Sequence, residues 1–388
     1  MMRALRLAVV GIIGISVGAL GALAVDARPS SRASAVSAPS TEQPTTTVPP
    51  LPSKVPVSTA PVLLVWTQHE LPADFTNRVR ALAPVQRLTE IKGDSLELAT
   101  STPSMVIPID AIAFDPTSYP SFVDPAARSA FAHLQAGEAL LSATSAQLRH
   151  AAAGMRLTFA SGQTVTVAAI IDDVAMTGAE LAVTAPTGQE LGVTTSRSLL
   201  IAYDGERDAI EQAIRAVAPP DPMRFRAPGE TPYLRRGDAV LPQALIKDAF
   251  GEFSYTRTDG KAITIDPAWV TANIVTADVP ILGSVRCHRM LIPALSGAMR
   301  ELEQDGLASL VDPKAFTGCW VPVLLSTTGA PSRHAWGAAV DLNFRSNPTG
   351  VNSVQDPRLV EILERWGFTW GGRWLVPDPS YFEYLRPP

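Results

Sequence analysis

An imidazole and a carboxylate stand seven residues apart near the end of the chain, in Ser332-Arg333-His334-Ala335-Trp336-Gly337-Ala338-Ala339-Val340-Asp341-Leu342-Asn343. Gly337 lets the backbone bend tightly after His334. The run Ala339 to Asn343 alternates small or apolar side chains with polar ones, as a short strand at the edge of a pocket does. His and Asp both suit zinc, and a catalytic zinc site takes three protein ligands plus an open position for water. A third donor is therefore expected further along the chain. The plainer alternative is a satisfied core histidine and an aspartate that ends a strand, and for a lone His and Asp that alternative leads.

The surroundings reverse the order. The pattern S-x-H-x-x-G-x-A-x-D is followed by Trp366-Gly367-Phe368-Thr369-Trp370-Gly371-Gly372-Arg373-Trp374 and by Asp378-Pro379-Ser380-Tyr381-Phe382-Glu383-Tyr384. Together they resemble the signature and closing motif of the D-alanyl-D-alanine carboxypeptidase family of zinc metallopeptidases, the VanY-like group. The resemblance covers roughly residues 233–388. It implies a small α+β fold, a zinc ion and cleavage of peptidoglycan stem peptides. It places His334 and Asp341 as metal ligands and Ser332 as a hydrogen-bond partner of substrate. It makes Asp378 the carboxylate that takes a proton from water and hands it to the leaving amine.

Two positions depart from the family's pattern. The family reads Asp-Pro-x-His at the closing motif, with that His as third zinc ligand; here the position is Tyr381. The family also carries an arginine after Gly-Cys-aromatic-x-Pro, where Gly318-Cys319-Trp320-Val321-Pro322 is followed by Val323. A phenol has a pKa near 10 and binds zinc poorly unless ionised, although a metal would itself lower that pKa. Three outcomes stay open: Tyr381 binds as phenolate, Asp378 or Glu383 moves into the coordination sphere, or the site holds no metal. The leading expectation is a cell-wall metallopeptidase acting on stem peptides through zinc-activated water. The alternative is a catalytically inactive homologue that binds peptidoglycan or serves as a scaffold.

Such a site needs a sheet and helices to hold it. Leu291, Leu295, Ala298, Met299 and Leu302 fall on one helical face, and Gly306 follows them. Asp356-Pro357 opens a second helix with an apolar stripe of Leu359, Ile362, Leu363 and Trp366, and Gly367 is its natural stop. Phe250 to Tyr255 reads as a strand and Ile263-Thr264-Ile265 as its partner, with Thr258-Asp259-Gly260 as the turn. Trp366, Trp370 and Trp374 read as core and pocket wall rather than a sugar-stacking platform. The only cysteines, Cys287 and Cys319, are most simply a disulfide in an exported chain. It would close a loop of about 30 residues and stabilise by a few kcal/mol. Cys287 paired with His288 as nucleophile or ligand is the minor alternative, as is His288 completing the zinc site.

The whole chain has 388 residues, 46% of them hydrophobic, enough for two or three packed domains. Its net charge is −5. With no long Lys/Arg run, nucleic-acid binding is disfavoured. Residues 1–6 carry two arginines and residues 7–25 none, which has the form of a signal peptide or a membrane anchor and sends the remainder out of the cytoplasm. Residues 26–60 are rich in Pro, Ser, Thr and Ala and read as an extended linker. Residues 61–220 read as a separate α+β domain that names no chemistry and faintly resembles the extracytoplasmic domains of ABC-type permeases. Within it, Val62 to Trp66 is a buried strand, Asp74 to Leu82 and Glu206 to Val217 are helices, and Leu157 to Val167 is a hairpin turning at Ser161-Gly162. His69, His133 and His150 lie far apart without metal-ligand spacing. Residues 221–388 form the carboxypeptidase-like domain, a small antiparallel sheet with helices, so the fold class is α+β throughout. The expected partners are a stem peptide and, through an uncleaved N-terminal segment, the membrane.

Overall fold

The computed structural model describes residues 61–230, 237–238 and 241–385. The N-terminal apolar run and the linker lie outside the described residues. Among the described residues no helix is long and apolar enough to cross a membrane.

The mixed α+β architecture holds. The chain enters on β1 (Val62–Thr67), β2 (Val85–Ala99), β3 (Val106–Phe114), β4 (Glu138–Ser142), β5 (Arg156–Thr158), β6 (Thr164–Ile171), β7 (Leu181–Thr184), β8 (Ser196–Tyr203) and β9 (Met223–Arg226). These form one sheet in the order β5-β6-β4-β7-β3-β2-β8-β1-β9. Pairing is antiparallel except for β3 with β7 and β4 with β6. Alternation along β1 shows why both faces are covered: Leu63 and Val65 join one buried cluster, Leu64 and Trp66 another. The first cluster is closed by Phe75 and Val79 of helix Phe75–Arg80 and by Ile210 and Ile214 of helix Arg207–Val217. The second is closed by Tyr119 and Phe131. β5 and β6 form the expected hairpin. The helix expected over residues 74–82 is shorter, and Pro84 lies beyond it.

The sheet does not end with the prolines at 219–222. β9 follows them and pairs with β1. Further on, β10 (Tyr255–Arg257) pairs both with β11 (Ile263–Ile265) and, through Tyr255 opposite Val106, with β3. The strand expected from Phe250 to Tyr255 is displaced. Phe250 closes helix Gln243–Phe250, and Gly251, at φ +89°, breaks the chain there against the Trp269 indole. Ile246 and Phe250 lie one helical turn apart and both are buried, so period 3.6 wins over period 2 in this stretch.

The remaining strands are the pair β12 (Ile274–Val279) with β13 (Gly283–His288), and a four-stranded antiparallel sheet. That sheet runs in the order β14 (Phe316–Thr317), β15 (Ala339–Leu342), β17 (Tyr381–Tyr384), β16 (Phe368–Trp370). Helices Ile292–Gln304 and Pro357–Arg365 pack beside it, as their apolar stripes require. Their contact is close enough that a Cβ on Gly297 would strike the Trp366 ring.

Buried charge ties helix Gln243–Phe250 to the first sheet. Lys247 and Glu180 are both fully buried and 2.8 Å apart. Glu180 also accepts from Ser145, Arg149 and Gln243, and Lys247 donates to the Pro108 carbonyl. Burial alone would raise the Glu180 carboxyl, but Lys247 and Arg149 outweigh it and hold the group down at about 2.

Candidate functional site

The four-stranded sheet separates chemistry from core by its two-residue period. Val340, Leu342, Phe382 and Tyr384 face the buried cluster. The opposite face carries Asp341, Tyr381 and Glu383. Register puts Asp341 directly opposite Tyr381, and Ala339 opposite Glu383. The small Ala339 leaves room for the long Glu383 side chain beside it.

His334 reaches this face from a 3-10 turn, Arg333–Trp336, that precedes β15. Ser332 caps the turn, its Oγ accepting from the His334 amide at 3.3 Å. Trp336 anchors the other side, fully buried, with its indole donating to the Gly251 carbonyl. Gly337 closes the turn at φ +67°, and a Cβ there would lie 2.7 Å from the His288 amide nitrogen. The imidazole is thereby held at both nitrogens. Nδ1 donates to the Cys319 carbonyl at 3.3 Å, and Nε2 lies 3.4 Å from Asp341 Oδ2. Burial pulls the His334 pKa down, but the hydrogen bond and charge of Asp341, with the Cys319 and Gly318 carbonyls, outweigh it and raise it above its ordinary value. The disulfide joins Cys287 of β13 to Cys319 and so fixes the segment whose carbonyl orients His334.

Tyr381 is turned along its own strand. Its hydroxyl donates to Glu383 Oε2 at 3.4 Å, and Glu383, itself fully buried, pairs through Oε1 with Arg333 at 3.3 Å. Burial first, and then the Glu383 charge, push the Tyr381 hydroxyl well above its ordinary pKa. Trp374 packs on the Tyr381 ring at 4.8 Å. Asp378 accepts from Ser380 at 3.3 Å. Burial and the nearby Asp341 raise its carboxyl above the usual range, against Thr349, Ser380 and His334.

Zinc needs three converging donors, and a hydroxyl among them has to lose its proton. His334 and Asp341 meet; Tyr381, which stands at the third position, keeps its proton and spends it on Glu383. Among the described residues no three His, Cys, Asp or Glu side chains gather as a metal would need. The donor set does not fit a zinc centre.

Ser332, His334, Asp341, Asp378 and Tyr381 all line one cavity of about 500 Å³. Its opposite wall comes from the first sheet, through Trp66, Asp94, Asp110 and Arg197. Nothing in the sequence marks that wall for chemistry, because its members are scattered over four strands and share no spacing. The Arg333–Glu383 pair was missed for a similar reason: its partners stand fifty positions apart in the chain. The other histidines stay outside. His288 is buried against Phe250 and Trp269, with Nε2 bonded to the Phe250 carbonyl, and burial lowers it to about 4. His133 bonds Ser129 within its own helix, and His69 faces Asp221. Of the three tryptophans, Trp374 lines the cavity, Trp370 donates to the Pro379 carbonyl, and Trp366 donates to Glu301 at the surface.

Residues 326–384 match the family described as D-alanyl-D-alanine carboxypeptidase. That span holds all five of these cavity residues. A comparison with curated proteins gives no match. Among solved structures, the periplasmic region of MacB from Actinobacillus actinomycetemcomitans is similar at 9% identity and a TM-score of 0.33, covering 44% of this chain and 90% of that one. The extracellular domain of the noncanonic ABC-type transporter YknZ from Gram-positive bacteria follows at 10% identity and 0.30, covering 43% and 98%. A domain of a putative permease protein from Porphyromonas gingivalis stands at 12% identity and 0.31, covering 48% and 94%. Scores this low carry no argument about function. The family match is the finding that bears on the site, and it makes this segment similar to a peptidase family.

Proposed function

We propose that this protein binds the D-alanyl end of a peptidoglycan stem peptide in the cavity at His334 and releases it uncut. The observation that carries this reading is the Tyr381 hydroxyl given to Glu383, which removes the third donor of a metal site. The remaining groups suit recognition of a peptide. Asp341 and Asp378 line the cavity as acceptors for backbone amides, and Ser332 adds a hydroxyl. The protein works outside the cytoplasm. The Cys287–Cys319 disulfide supports this, since such a bond persists in oxidising compartments. The apolar N-terminal run supports it too.

The test is metal content together with product analysis. After equilibration with zinc and removal of free ion, the wild type is expected to hold no stoichiometric metal and to leave purified muropeptides unchanged while binding them. Tyr381→His restores an imidazole at the third position and is expected to bind zinc. Chelator-sensitive release of D-alanine by the wild type would sink the reading.

One observation favours a second reading, a working metallopeptidase. His334 and Asp341 approach as two ligands of one cation do, and Asp378 lines the same cavity. This reading expects about one metal per chain and loss of D-alanine release in His334→Ala.

A further inference from the structure

We infer that Arg197, on the first sheet, is a ligand-binding residue of this cavity: its guanidinium receives the carboxylate of the bound peptide. The inference deepens the proposed function and rests on it. It gives the N-terminal half of the protein a share in the site.

β8 pairs with β2 so that Ile91 faces Ser198 and Lys92 faces Ser196, leaving Arg197 between them without a partner. An extra residue of this kind turns its side chain out of the regular alternation, and such bulges recur beside binding sites. Here the side chain is turned into the cavity that also holds Ser332, His334 and Asp341. One guanidinium nitrogen, Nη2, donates to the Thr327 carbonyl at 2.5 Å, which ties Arg197 to the loop leading into Ser332. A second, Nε, is shielded from solvent and has no hydrogen-bond partner among the described residues.

The charges around it define what is missing. Among the described residues the cavity is lined by one other guanidinium, Arg333, and that group is already spent on Glu383 and on the Leu241 carbonyl. Arg197 has no carboxylate within ion-pair distance among the described residues. Asp94, on the same wall, accepts from the Thr194 and Thr195 amides at 2.8 and 2.9 Å. A shielded N–H donor left without an acceptor is costly, and a planar guanidinium fork is matched by a carboxylate, which takes two parallel N–H bonds. A peptide with a free C-terminus supplies that group. Anchored at Arg197, its last carboxylate would lie against the first sheet while its preceding amides face His334 and Asp378.

The test is calorimetric titration of the full chain with Nα,Nε-diacetyl-L-lysyl-D-alanyl-D-alanine and with the same peptide as its C-terminal amide. The wild type is expected to bind the free acid at least tenfold more tightly than the amide. Arg197→Gln is expected to abolish that preference. Arg197→Lys, which keeps the charge and loses the fork, retains only part of it. Arg78→Gln, on the exposed face of a remote helix, keeps the wild-type preference and controls for a general change in charge. Equal affinity of wild type for acid and amide, or a preference that survives Arg197→Gln, overturns the role of Arg197 and leaves the pocket reading standing. Failure of the wild type to bind either peptide overturns both.

Discussion

The Tyr381 hydroxyl donates to Glu383 Oε2, two residues along the same strand and on the same face of the sheet. Glu383 has no solvent exposure, and its second oxygen is held by Arg333. The two supports are unequal. Tyr381→Phe removes a neutral donor and leaves a buried acceptor short of one bond, an expected cost of about 1–3 kcal/mol. Arg333→Ala strips a buried carboxylate of its counter-charge and is expected to cost about 3–5 kcal/mol. Denaturant unfolding of the two variants checks the order. A larger loss in Tyr381→Phe than in Arg333→Ala would mean that the phenol holds something other than Glu383.

His334 carries a pH signature with a definite sign. Its pKa is raised in the folded protein, because Asp341 and the Cys319 and Gly318 carbonyls outweigh burial. A raised pKa means the folded state binds the proton more tightly than the unfolded state. The contribution is therefore fully present below the unfolded value near 6.5 and is lost as pH rises through the folded value. Stability is expected to fall over that interval in the wild type and to change less in His334→Gln. A histidine-selective NMR titration should place this imidazole above 6.5. A value below it would show that burial wins and that the Asp341 contact is weaker than its geometry.

How much of this was legible beforehand depends on the range of the interaction. Types and spacing paired His334 with Asp341, and the resemblance to the carboxypeptidase family added Ser332 and Asp378; all four line one cavity. Helices Ile292–Gln304 and Pro357–Arg365 were legible from their apolar stripes and, for the second, its Asp-Pro start. The disulfide followed from cysteine count. The direction of the Tyr381 hydroxyl was not legible, because it depends on Glu383 being buried and held by a residue fifty positions away. Nor was the contribution of residues 61–220 to the site. Arg197 enters through a register shift between β2 and β8, and no local pattern announces which residue of a strand is skipped. The strand expected at Phe250 to Tyr255 failed for a local reason: Phe250 completes a helical turn with Ile246, and Gly251 ends it.

The buried pair between Glu180 and Lys247 should behave as a unit. Lys247→Met leaves Glu180 fully buried with only Arg149 as counter-charge and is expected to cost about 3–5 kcal/mol. Replacing both partners, as Glu180→Leu with Lys247→Met, is expected to recover much of that loss, since an apolar pair of similar size has no charge to desolvate. A double-mutant cycle by denaturant unfolding measures the coupling. The pH sign is opposite to that of His334. The Glu180 carboxyl is held at about 2 against a usual 4.5, so its contribution is present above 4.5 and is lost as pH falls from there toward 2. Lys247→Met should flatten the wild-type loss of stability in that acid range. An unchanged acid limb would mean that Arg149 alone keeps the carboxyl ionised.

Gly337 tests whether the turn bearing His334 is set by backbone conformation or by space. Gly337 and Gly283 have similar positive φ angles, +67° and +74°. A Cβ on Gly283 meets nothing within 4 Å, whereas one on Gly337 would lie 2.7 Å from the His288 amide nitrogen, a backbone atom that cannot swing aside. Gly283→Ala should therefore report the left-handed strain alone, about 1–2 kcal/mol. Gly337→Ala should exceed it by about a further 1–3 kcal/mol through overpacking. The excess is relieved only if the turn lifts away from β13, and that would carry His334 off both Asp341 and the Cys319 carbonyl. Two readouts are then expected to move together in Gly337→Ala and to stay put in Gly283→Ala: the His334 pKa, falling back as its partners recede, and the affinity for the stem peptide. Equal losses of stability in the two variants, with His334 titrating as in the wild type, would show that the turn yields to the added methyl without disturbing the imidazole.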